Sequence, residues 1–107
     1  MPAVHIRAAA RRDLIDQYVY LAEHADEVTA ERFLVQAERS FELLATQPYM
    51  GATLTLKCSE LAGLRKWNIE GFENTLVFYL PRGEGVSIVR VLHAARDWWS
   101  LLGIDVQ

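Results

Sequence analysis

Cysteine and histidine, the residues that most often bind metals or form crosslinks, are scarce in this chain. Its 107 residues include one cysteine and three histidines. Cys58 has no second cysteine with which to form an internal disulfide, and three histidines that are far apart in sequence do not resemble a zinc site. The sequence therefore predicts no metal site, and no motif in it implies another cofactor.

Long apolar runs and an excess of basic residues are also lacking. No apolar run approaches the roughly 20 residues of a membrane-spanning helix, and the N-terminus lacks the apolar core of a signal peptide. The net charge is −3 and the pI is about 5.5, whereas proteins that bind nucleic acid through its phosphates are usually basic. We expect a cytoplasmic protein with no membrane anchor and no direct sequence-specific contact with nucleic acid.

The abundant residues are those that build a core. Hydrophobic residues make up 51% of the chain and charged residues 23%, which excludes an intrinsically disordered protein. A chain of this length can bury roughly two-thirds of its unfolded surface without disulfides. No repeat, low-complexity tract or linker divides the sequence, so we expect a single domain over residues 1–107.

Two amphipathic helices are predicted in the N-terminal half. Apolar residues recur at spacings of three and four over about residues 9–25 and again over about residues 29–45. Asp26 or Thr29 can cap the second helix, and Pro48 ends it. A short connection between two such helices predicts an antiparallel hairpin. The residues assigned to the two apolar stripes are Leu14, Tyr18, Leu21, Ala22 and Ala25, then Phe33, Leu34, Ala37, Phe41, Leu44 and Ala45.

Strands are predicted around this hairpin. They cover about residues 4–7, 64–70, 75–80 and 86–92, with turns at residues 71–74 and 81–85. Residues 53–56 fit either a strand fragment or a loop, and Asp97 can cap a short C-terminal helix that ends at Gly103. The order β-α-α-β-β-β-α predicts an α+β fold in which the helical hairpin packs on one face of a small antiparallel sheet. The first strand is expected beside the last strand or the central strands.

Cationic side chains cluster at the end of the last predicted strand. Arg90 lies within an otherwise aliphatic strand, and His93 and Arg96 follow where that strand ends. Three such groups within seven residues indicate a site for an anion or a carboxylate. We expect Arg90 to reach an acidic residue of the helical hairpin. Trp98 and Trp99 should point about 100° apart on a short helix, so one can pack on the sheet while the other meets a partner.

Two segments of the C-terminal half carry a resemblance to a known family. The first reads Arg90-Val91-Leu92-His93-Ala94-Ala95-Arg96-Asp97. It resembles the last-strand signature of the ParE branch of the RelE/ParE toxin superfamily, the toxins of bacterial type II toxin–antitoxin pairs. Residues 64–79 are similar to the central hairpin of that branch. The likeness extends from about residue 4 to about residue 102 through family-like positions at Ala10, Asp13, Leu14, Tyr18 and residues 47–51. The superfamily has the same β-α-α-β-β-β-α layout.

The resemblance implies a toxin that inhibits DNA gyrase and is neutralised by a co-expressed ParD-like antitoxin. Such antitoxins have a ribbon-helix-helix DNA-binding half and a disordered tail that folds on the toxin, so a hetero-oligomer is implied. The helical hairpin and an exposed edge of the sheet would form the groove for that tail. The candidate residues for contact with antitoxin or target are Arg65, Arg90, His93, Arg96, Trp98 and Trp99.

Two other functions stay open. RelE-type members of the superfamily are ribosome-dependent messenger-RNA endonucleases, and Arg65, His93 and Arg96 match positions of their catalytic cluster. However, the Tyr-Arg pair of those nucleases is replaced by Thr75-Leu76, and their C-terminal tyrosine is absent. The nearby indole groups cannot act as acids or bases at neutral pH. We therefore expect a toxin that binds its target rather than an enzyme; the third possibility is an inactive relative that only binds antitoxin.

The candidate residues also have structural interpretations. Arg65 could form a salt bridge with Glu60 or Glu70 instead of contacting a partner. His93 could be a hydrogen-bonded packing histidine at the strand end. Arg96 could fix the C-terminal helix by pairing with the aspartate that follows it. The sequence alone leaves these interpretations beside the functional ones.

Overall fold

The computed structural model describes residues 3–54 and 61–94, which form a five-stranded sheet and two helices. The elements are β1 (Val4–Ile6), α1 (Ala8–His24), α2 (Glu27–Thr46), β2 (Ala52–Thr53), β3 (Arg65–Ile69), β4 (Phe72–Arg82) and β5 (Gly85–His93). The order of strands in the sheet is β1-β5-β4-β3-β2. The predicted α+β class is confirmed. Neither described helix is long and apolar enough to cross a membrane.

Helices α1 and α2 form the predicted helical hairpin. Asp26 is the N-cap of α2, and its Oδ1 accepts a hydrogen bond from the backbone N–H of Thr29 at 2.6 Å. This bond lowers the pKa of Asp26 because it favours the ionised carboxylate. Helix α2 ends at Thr46, and Gln47 is its C-cap directly before Pro48. The proline therefore ends the helix where the sequence predicts it.

The helical hairpin covers one face of the sheet and encloses the larger of two hydrophobic clusters. Phe33 from α2 and Tyr79 from β4 are its largest fully buried side chains. Helix α1 buries only Ala10, whereas Leu14 and Leu21 are partly buried against the cluster. Most of the helical contribution to this core therefore comes from α2.

Two residues assigned to the apolar stripes are exposed in the structure. Leu34 is 36% exposed, and Ala25 is exposed at the C-cap of α1. Neighbouring residues project about 100° apart around a helix, so Leu34 points to the side of the direction in which the fully buried Phe33 projects. Ala25 lies beyond the last helical residue, where the helical period no longer sets the direction of its side chain.

The opposite face of the sheet carries a second hydrophobic cluster. It comprises Leu64, Leu76, Phe78, Leu80, Val89 and Leu92, with Leu54 and Leu61 packed against it. Alternate residues of β4 contribute to the two clusters, since Val77 and Tyr79 face the helices. A strand that is buried on both faces reads as one continuous apolar run, which explains the sequence from Leu76 to Leu80.

The sheet is mixed rather than antiparallel throughout. Strands β2 to β5 pair with their neighbours in antiparallel fashion, as the predicted meander requires. Strand β1 pairs in parallel with β5, with Val4 opposite Val86 and Ile6 opposite Ile88. Arg7 is the single residue between β1 and α1. The direction of β1 therefore decides at which end of the sheet α1 begins.

The turn between β3 and β4 is tighter than predicted. Strand β4 begins at Phe72, so Glu70 and Gly71 form the turn instead of residues 71–74. Gly71 has a φ angle of 83°, which a glycine adopts without the steric cost that a side chain would impose. The glycine therefore allows the strand to resume at Phe72, three residues earlier than the hydrophobic pattern indicates.

At its other end β4 continues through Pro81 to Arg82, so the predicted turn at residues 81–85 shrinks to residues 83–84. A proline lacks a backbone N–H and is poorly tolerated between two paired strands. Strand β3 pairs with β4 only as far as Tyr79. Pro81 thus lies where β4 has β5 alone as its neighbour, and the strand accommodates it.

The ambiguous segment after α2 includes a short strand. Strand β2 spans Ala52–Thr53 and pairs with Lys66 and Arg65 at the edge of the sheet. The remainder of the ambiguous segment, from residue 55, and the predicted C-terminal helix both lie outside the described residues.

Candidate functional site

Arg90 lies beside an irregularity in β5. Phe78 is opposite Arg90, but the next residue of β4, Tyr79, is opposite Ile88, so β5 contains one extra residue. Such a β-bulge changes the direction in which the following side chains point. Beyond the bulge Val91 joins the cluster under the helices, as Ile88 does before it. The bulge therefore returns Val91 to the helix face, whereas Arg90 lies opposite Phe78, a residue of the second cluster.

Asp13 of α1 binds the guanidinium of Arg90. Nε and Nη2 of Arg90 donate to Oδ2 and Oδ1 of Asp13 at 2.7 and 2.9 Å, which makes a bidentate ion pair. The backbone N–H of Val91 also donates to Oδ2 at 3.0 Å. The side-chain hydrogen bond to Asp13 raises the pKa of Arg90, against the lowering effect of burial. The expectation that Arg90 reaches an acid of the helical hairpin is confirmed.

This ion pair fixes α1 to the sheet. The Arg90 side chain is 24% exposed and the Asp13 side chain 10%. A partner protein could therefore contact only the exposed quarter of the Arg90 side chain. Two of its nitrogen atoms, Nε and Nη2, already donate to Asp13. The pair is first of all a structural link between α1 and β5.

Arg65 binds the loop between α2 and β2. Its Nη1 donates to the carbonyl oxygens of Tyr49 at 2.9 Å and Gly51 at 2.7 Å. The guanidinium carbon lies 5.1 Å from the centroid of the Tyr49 ring, a cation–π contact. Tyr49 is 73% exposed. Arg65 thus donates to backbone carbonyls rather than to the carboxylate of Glu70. With Tyr49 it forms a cationic and aromatic pair at the surface. Glu60, the other acidic partner considered, lies outside the described residues.

Tyr79 holds the same loop from inside the core. Its hydroxyl donates to the carbonyl oxygen of Pro48 and accepts from the N–H of Gly51, both at 2.8 Å. Burial raises the pKa of Tyr79, because the phenolate would lose its hydration, although the Gly51 hydrogen bond acts in the other direction. A Cβ atom at Gly51 would lie 2.5 Å from the Tyr79 hydroxyl oxygen and 2.7 Å from the Lys66 carbonyl oxygen. Only glycine fits at this position.

His93 lies near the opposite end of the sheet. It is the last residue of β5 and pairs with Thr75 of β4. It lines a groove of about 540 Å³ between α1 and the turn that joins β3 to β4, together with Gln17, Tyr20 and Phe72. His93 is half-buried, in accord with a packing role at the strand end.

The structure separates Arg65 from His93. Arg65 is opposite Tyr79 and His93 is opposite Thr75, which corresponds to about 13 Å along β4 at the usual rise of a strand. The two residues also lie on either side of β4, which adds about 10 Å across the sheet. Groups that act on one scissile phosphate must come within hydrogen-bonding reach of it. In the structure the Arg65 guanidinium is bound to the carbonyls of Tyr49 and Gly51 beside β2 rather than turned towards β5, so the two side chains do not converge on one centre.

The chain matches the family model described as the ParE toxin of the parDE type II toxin–antitoxin system over residues 4–98. It belongs to the ParE toxin family. No curated protein matches the chain. Its fold is similar to that of a solved chain described as the chromosomal ParDE TA system from P. aeruginosa, with 18% sequence identity and a TM-score of 0.68, covering 87% of this chain and 96% of that one. The resemblance that the two C-terminal segments indicate is therefore confirmed.

The remaining candidates of this ParE chain are Arg96, Trp98 and Trp99, and they lie outside the described residues. Their roles in contact with antitoxin or target stay predictions. Among the residues that the structure describes, no group of three or more histidine, cysteine, aspartate or glutamate side chains is placed to hold a metal ion.

Tyr79 is not among the candidate contact or catalytic residues of this ParE chain. A signal for it exists, because Tyr79 is the one side chain with a hydroxyl in the apolar run from Leu76 to Leu80. A hydroxyl that is buried in such a strand needs hydrogen-bonding partners. The identity of those partners, Pro48 and Gly51, is visible only in the folded chain.

Proposed function

We propose that this protein is the toxin of a type II toxin–antitoxin pair and that it acts in the cytoplasm by binding and inhibiting DNA gyrase. A ParD-like ribbon-helix-helix antitoxin would neutralise it by forming a hetero-oligomer. The family match supports the toxin–antitoxin assignment. The separation of Arg65 from His93 is the observation that most favours a binding toxin over a nuclease.

Several features weaken the alternative of a ribosome-dependent nuclease. The Arg65 guanidinium is engaged with two backbone carbonyls and the Tyr49 ring. Thr75, which stands in place of the tyrosine of the nuclease pair, is 5% exposed and so is not presented to a substrate. A net charge of −3 also disfavours binding to a ribosome-bound RNA through its phosphates.

The outer surface of the helical hairpin suits an antitoxin tail. Ile15 and Val19 lie one turn apart on α1 and are 55% and 45% exposed. Val28 and Val35 lie two turns apart on α2 and are 74% and 45% exposed. Apolar side chains at these spacings form stripes along a helix, and such stripes are typical docking surfaces for an amphipathic partner helix. We assign this surface to the folded antitoxin tail.

Two activity assays run in parallel test the target. The purified protein is added to gyrase with relaxed plasmid, and separately to a purified translation system. We expect loss of supercoiling or accumulation of cleaved DNA in the first assay, and intact messenger RNA in the second. Codon-positioned cuts in the messenger RNA would contradict the proposal and would make Arg65, His93 and Arg96 catalytic candidates again.

A binding measurement separates the proposed toxin from an inactive relative. The protein is co-expressed with the small reading frame next to its own, which should encode a ribbon-helix-helix protein with a disordered tail. We expect the two chains to co-purify and the complex to leave gyrase active, because the tail covers the toxin. If the complex forms but the free protein inhibits neither gyrase nor translation, the chain retains antitoxin binding alone.

A further inference from the structure

A cavity of about 400 Å³ lies beside β1, where β1, β5 and the end of β4 meet. Its polar lining consists of His5 and Arg7 from β1 and the residue that follows it, Arg82 from the end of β4, and Ser87 from β5. The described lining contains no carboxylate. The cavity thus combines two guanidinium groups, an imidazole and a hydroxyl with no acidic side chain among them.

The cationic side chains of the cavity share the face of the sheet opposite the helices. Ile6 packs into the cluster under the helices, so His5 and Arg7 project to the other face. Arg82 shares that face with Leu80, which belongs to the second cluster. The pairing of β1 with β5, and of β5 with β4, therefore brings groups from distant parts of the chain to one place.

Arg7 is oriented by a buried hydroxyl. Its Nε donates to Oγ of Ser87 at 3.0 Å, and Ser87 is 4% exposed. This bond involves Nε alone, so the Nη groups of Arg7 can donate to another acceptor, and the Ser87 hydroxyl keeps its own O–H as a donor. Because Arg7 is already held in place, a ligand that binds it loses less free energy to ordering the side chain.

Arg82 supplies the second guanidinium. It is exposed, and its Nη1 donates to the neighbouring carbonyl of Pro81 at 3.0 Å. Glu84, in the turn that follows, is exposed and is not part of the cavity lining. A backbone carbonyl does not neutralise the charge of an arginine, so Arg82 can still attract a negatively charged group into the cavity.

The start of α1 adds to the positive potential beside the cavity. Arg7 is the N-cap of α1, no side chain caps the helix, and the first turn contains no acidic residue. The first N–H groups of a helix carry a partial positive charge that acidic side chains usually compensate. On a chain with a net charge of −3, the cavity is thus a local site for negative charge.

We propose that this cavity binds a single phosphoryl group, either as free phosphate or as the phosphate of a nucleotide. Arg7, Arg82 and the Ser87 hydroxyl are the donors. A phosphoryl group presents oxygen atoms in several directions, which suits donors that come from different strands, whereas the two oxygens of a carboxylate lie in one plane. The site is distinct from the positions matched to the nuclease cluster, because Ser87 and His93 lie about 20 Å apart along β5. Such binding requires neither gyrase nor an antitoxin.

Amide and arginine Nε resonances of the isotope-labelled full chain test the site directly. Inorganic phosphate and adenosine monophosphate are titrated separately at constant ionic strength, and we expect saturable shifts at Arg7, Arg82 and Ser87. Malonate carries a similar charge on two carboxylates and should bind about tenfold more weakly than phosphate. Tighter binding of the nucleotide than of phosphate would identify a nucleotide as the ligand, whereas equal or weaker binding would identify free phosphate.

Variants of the protein test the donors separately. Arg82→Gln should weaken phosphate binding about tenfold, since it removes a charged donor from the cavity. Arg39→Gln changes the net charge equally on the exposed surface of α2 and should leave binding unchanged. Ser87→Ala should also weaken binding, because it removes one donor and the acceptor that orients Arg7.

Four results would overturn the assignment. One is the absence of saturable shifts with either phosphate compound. Another is equal weakening by Arg82→Gln and Arg39→Gln, which would mean general charge attraction. The third is binding of malonate as tight as that of phosphate. The last is much tighter binding of a short oligonucleotide without a terminal phosphate, which would make this a nucleic-acid surface. If Ser87→Ala does not fold, the comparison of Arg82→Gln with Arg39→Gln decides.

Discussion

Replacing Asp13 by alanine should be one of the most destabilising changes at a charged position of the described fold. The Asp13 carboxylate receives three hydrogen bonds, two from the Arg90 guanidinium and one from the Val91 N–H. Asp13→Ala leaves Arg90 without its charge partner. It also leaves the N–H of Val91 without an acceptor in a residue that is 4% exposed.

The size of the loss follows from these two contributions. A hydrogen bond to a charged group contributes about 1.5–3 kcal/mol, and an unpaired buried donor costs about 1–3 kcal/mol. The contributions do not add fully, because the Arg90 side chain is 24% exposed and water can replace part of its bonding. We expect Asp13→Ala to lower the free energy of unfolding by about 3 kcal/mol. For a domain of this size that corresponds to a fall in Tm of about 10–20 °C.

Thermal and urea unfolding, followed by circular dichroism, measure the effect. Asp16→Ala is the matched control, since it removes an exposed acidic side chain from the same helix and should change stability by less than about 0.5 kcal/mol. Asp13→Asn should lose an intermediate amount, because the amide oxygen can still accept from Val91 but carries no charge. The effect should persist at high salt, which screens partly buried pairs only weakly.

A double-mutant cycle with Arg90→Ala isolates the pair itself. The two single losses should sum to more than the loss of the double variant, because either change already breaks the same interaction. If Asp13→Ala costs no more than Asp16→Ala, the ion pair does not fix α1 to the sheet. Helix α1 would then be held by its apolar contacts alone, and Arg90 would be available to a partner.

Three further predictions concern the loop anchor, the helix cap and the core. Tyr79→Phe should cost about 1–3 kcal/mol in urea unfolding, because it leaves the Gly51 N–H without its acceptor. Since the pKa of Tyr79 is raised in the fold, its ionisation should also erode stability as the pH rises above the ordinary tyrosine range, and the variant should lack that dependence. The pKa of Asp26 is lowered, so the cap of α2 should weaken as the pH falls through its folded-state value; Asp26→Ala should remove this part of an acid titration. Phe33→Ala should cost about 3–5 kcal/mol by chemical denaturation, whereas Leu14→Ala, at a partly buried site, should cost less.

The elements whose formation depends on local sequence are the ones that the sequence predicts well. Helix α2 has an apolar stripe, a capping aspartate at residue 26 and a proline at residue 48, and these signals place its ends within two residues of Glu27 and Thr46. Strands β3 to β5 follow from alternating or continuous apolar runs. Each of these signals acts between residues close in sequence, so no knowledge of the tertiary structure is needed.

What the sequence does not predict depends on contacts between distant residues. The direction of β1 follows from its pairing with β5, and a three-residue strand carries no pattern that distinguishes parallel from antiparallel neighbours. The continuation of β4 through Pro81 depends on where β3 stops pairing. The bulge before Arg90 becomes evident only when the register with β4 is known. In each case the deciding partner is distant in the chain, from nine residues between Tyr79 and Ile88 to 82 residues between Val4 and Val86.

The same distinction applies to the candidate site. Charge within an apolar strand correctly predicts that Arg90 meets an acid of the helical hairpin, but not that the acid is Asp13. Arg65 was open to a carboxylate partner or to a protein partner, and the structure gives it the carbonyls of Tyr49 and Gly51. A backbone carbonyl is present at every residue, so no sequence pattern can indicate which one an arginine will bind.

Two groups of arginines can be distinguished in the described fold, those whose hydrogen bonds hold the fold together and those that lie at the edge of its sheet. Arg90 and Arg65 look like recognition residues in the sequence. In the structure Arg90 donates to Asp13, and Arg65 donates to carbonyl oxygens of the loop after α2. Arg7 and Arg82 are not among the candidate residues named above, and 75 residues separate them in the chain. They meet beside β1 only because β1 pairs in parallel with β5 while Arg82 ends β4 next to the start of β5. A surface that depends on strand pairing in this way cannot be read from either segment alone, and its described lining brings positive charge together without a carboxylate.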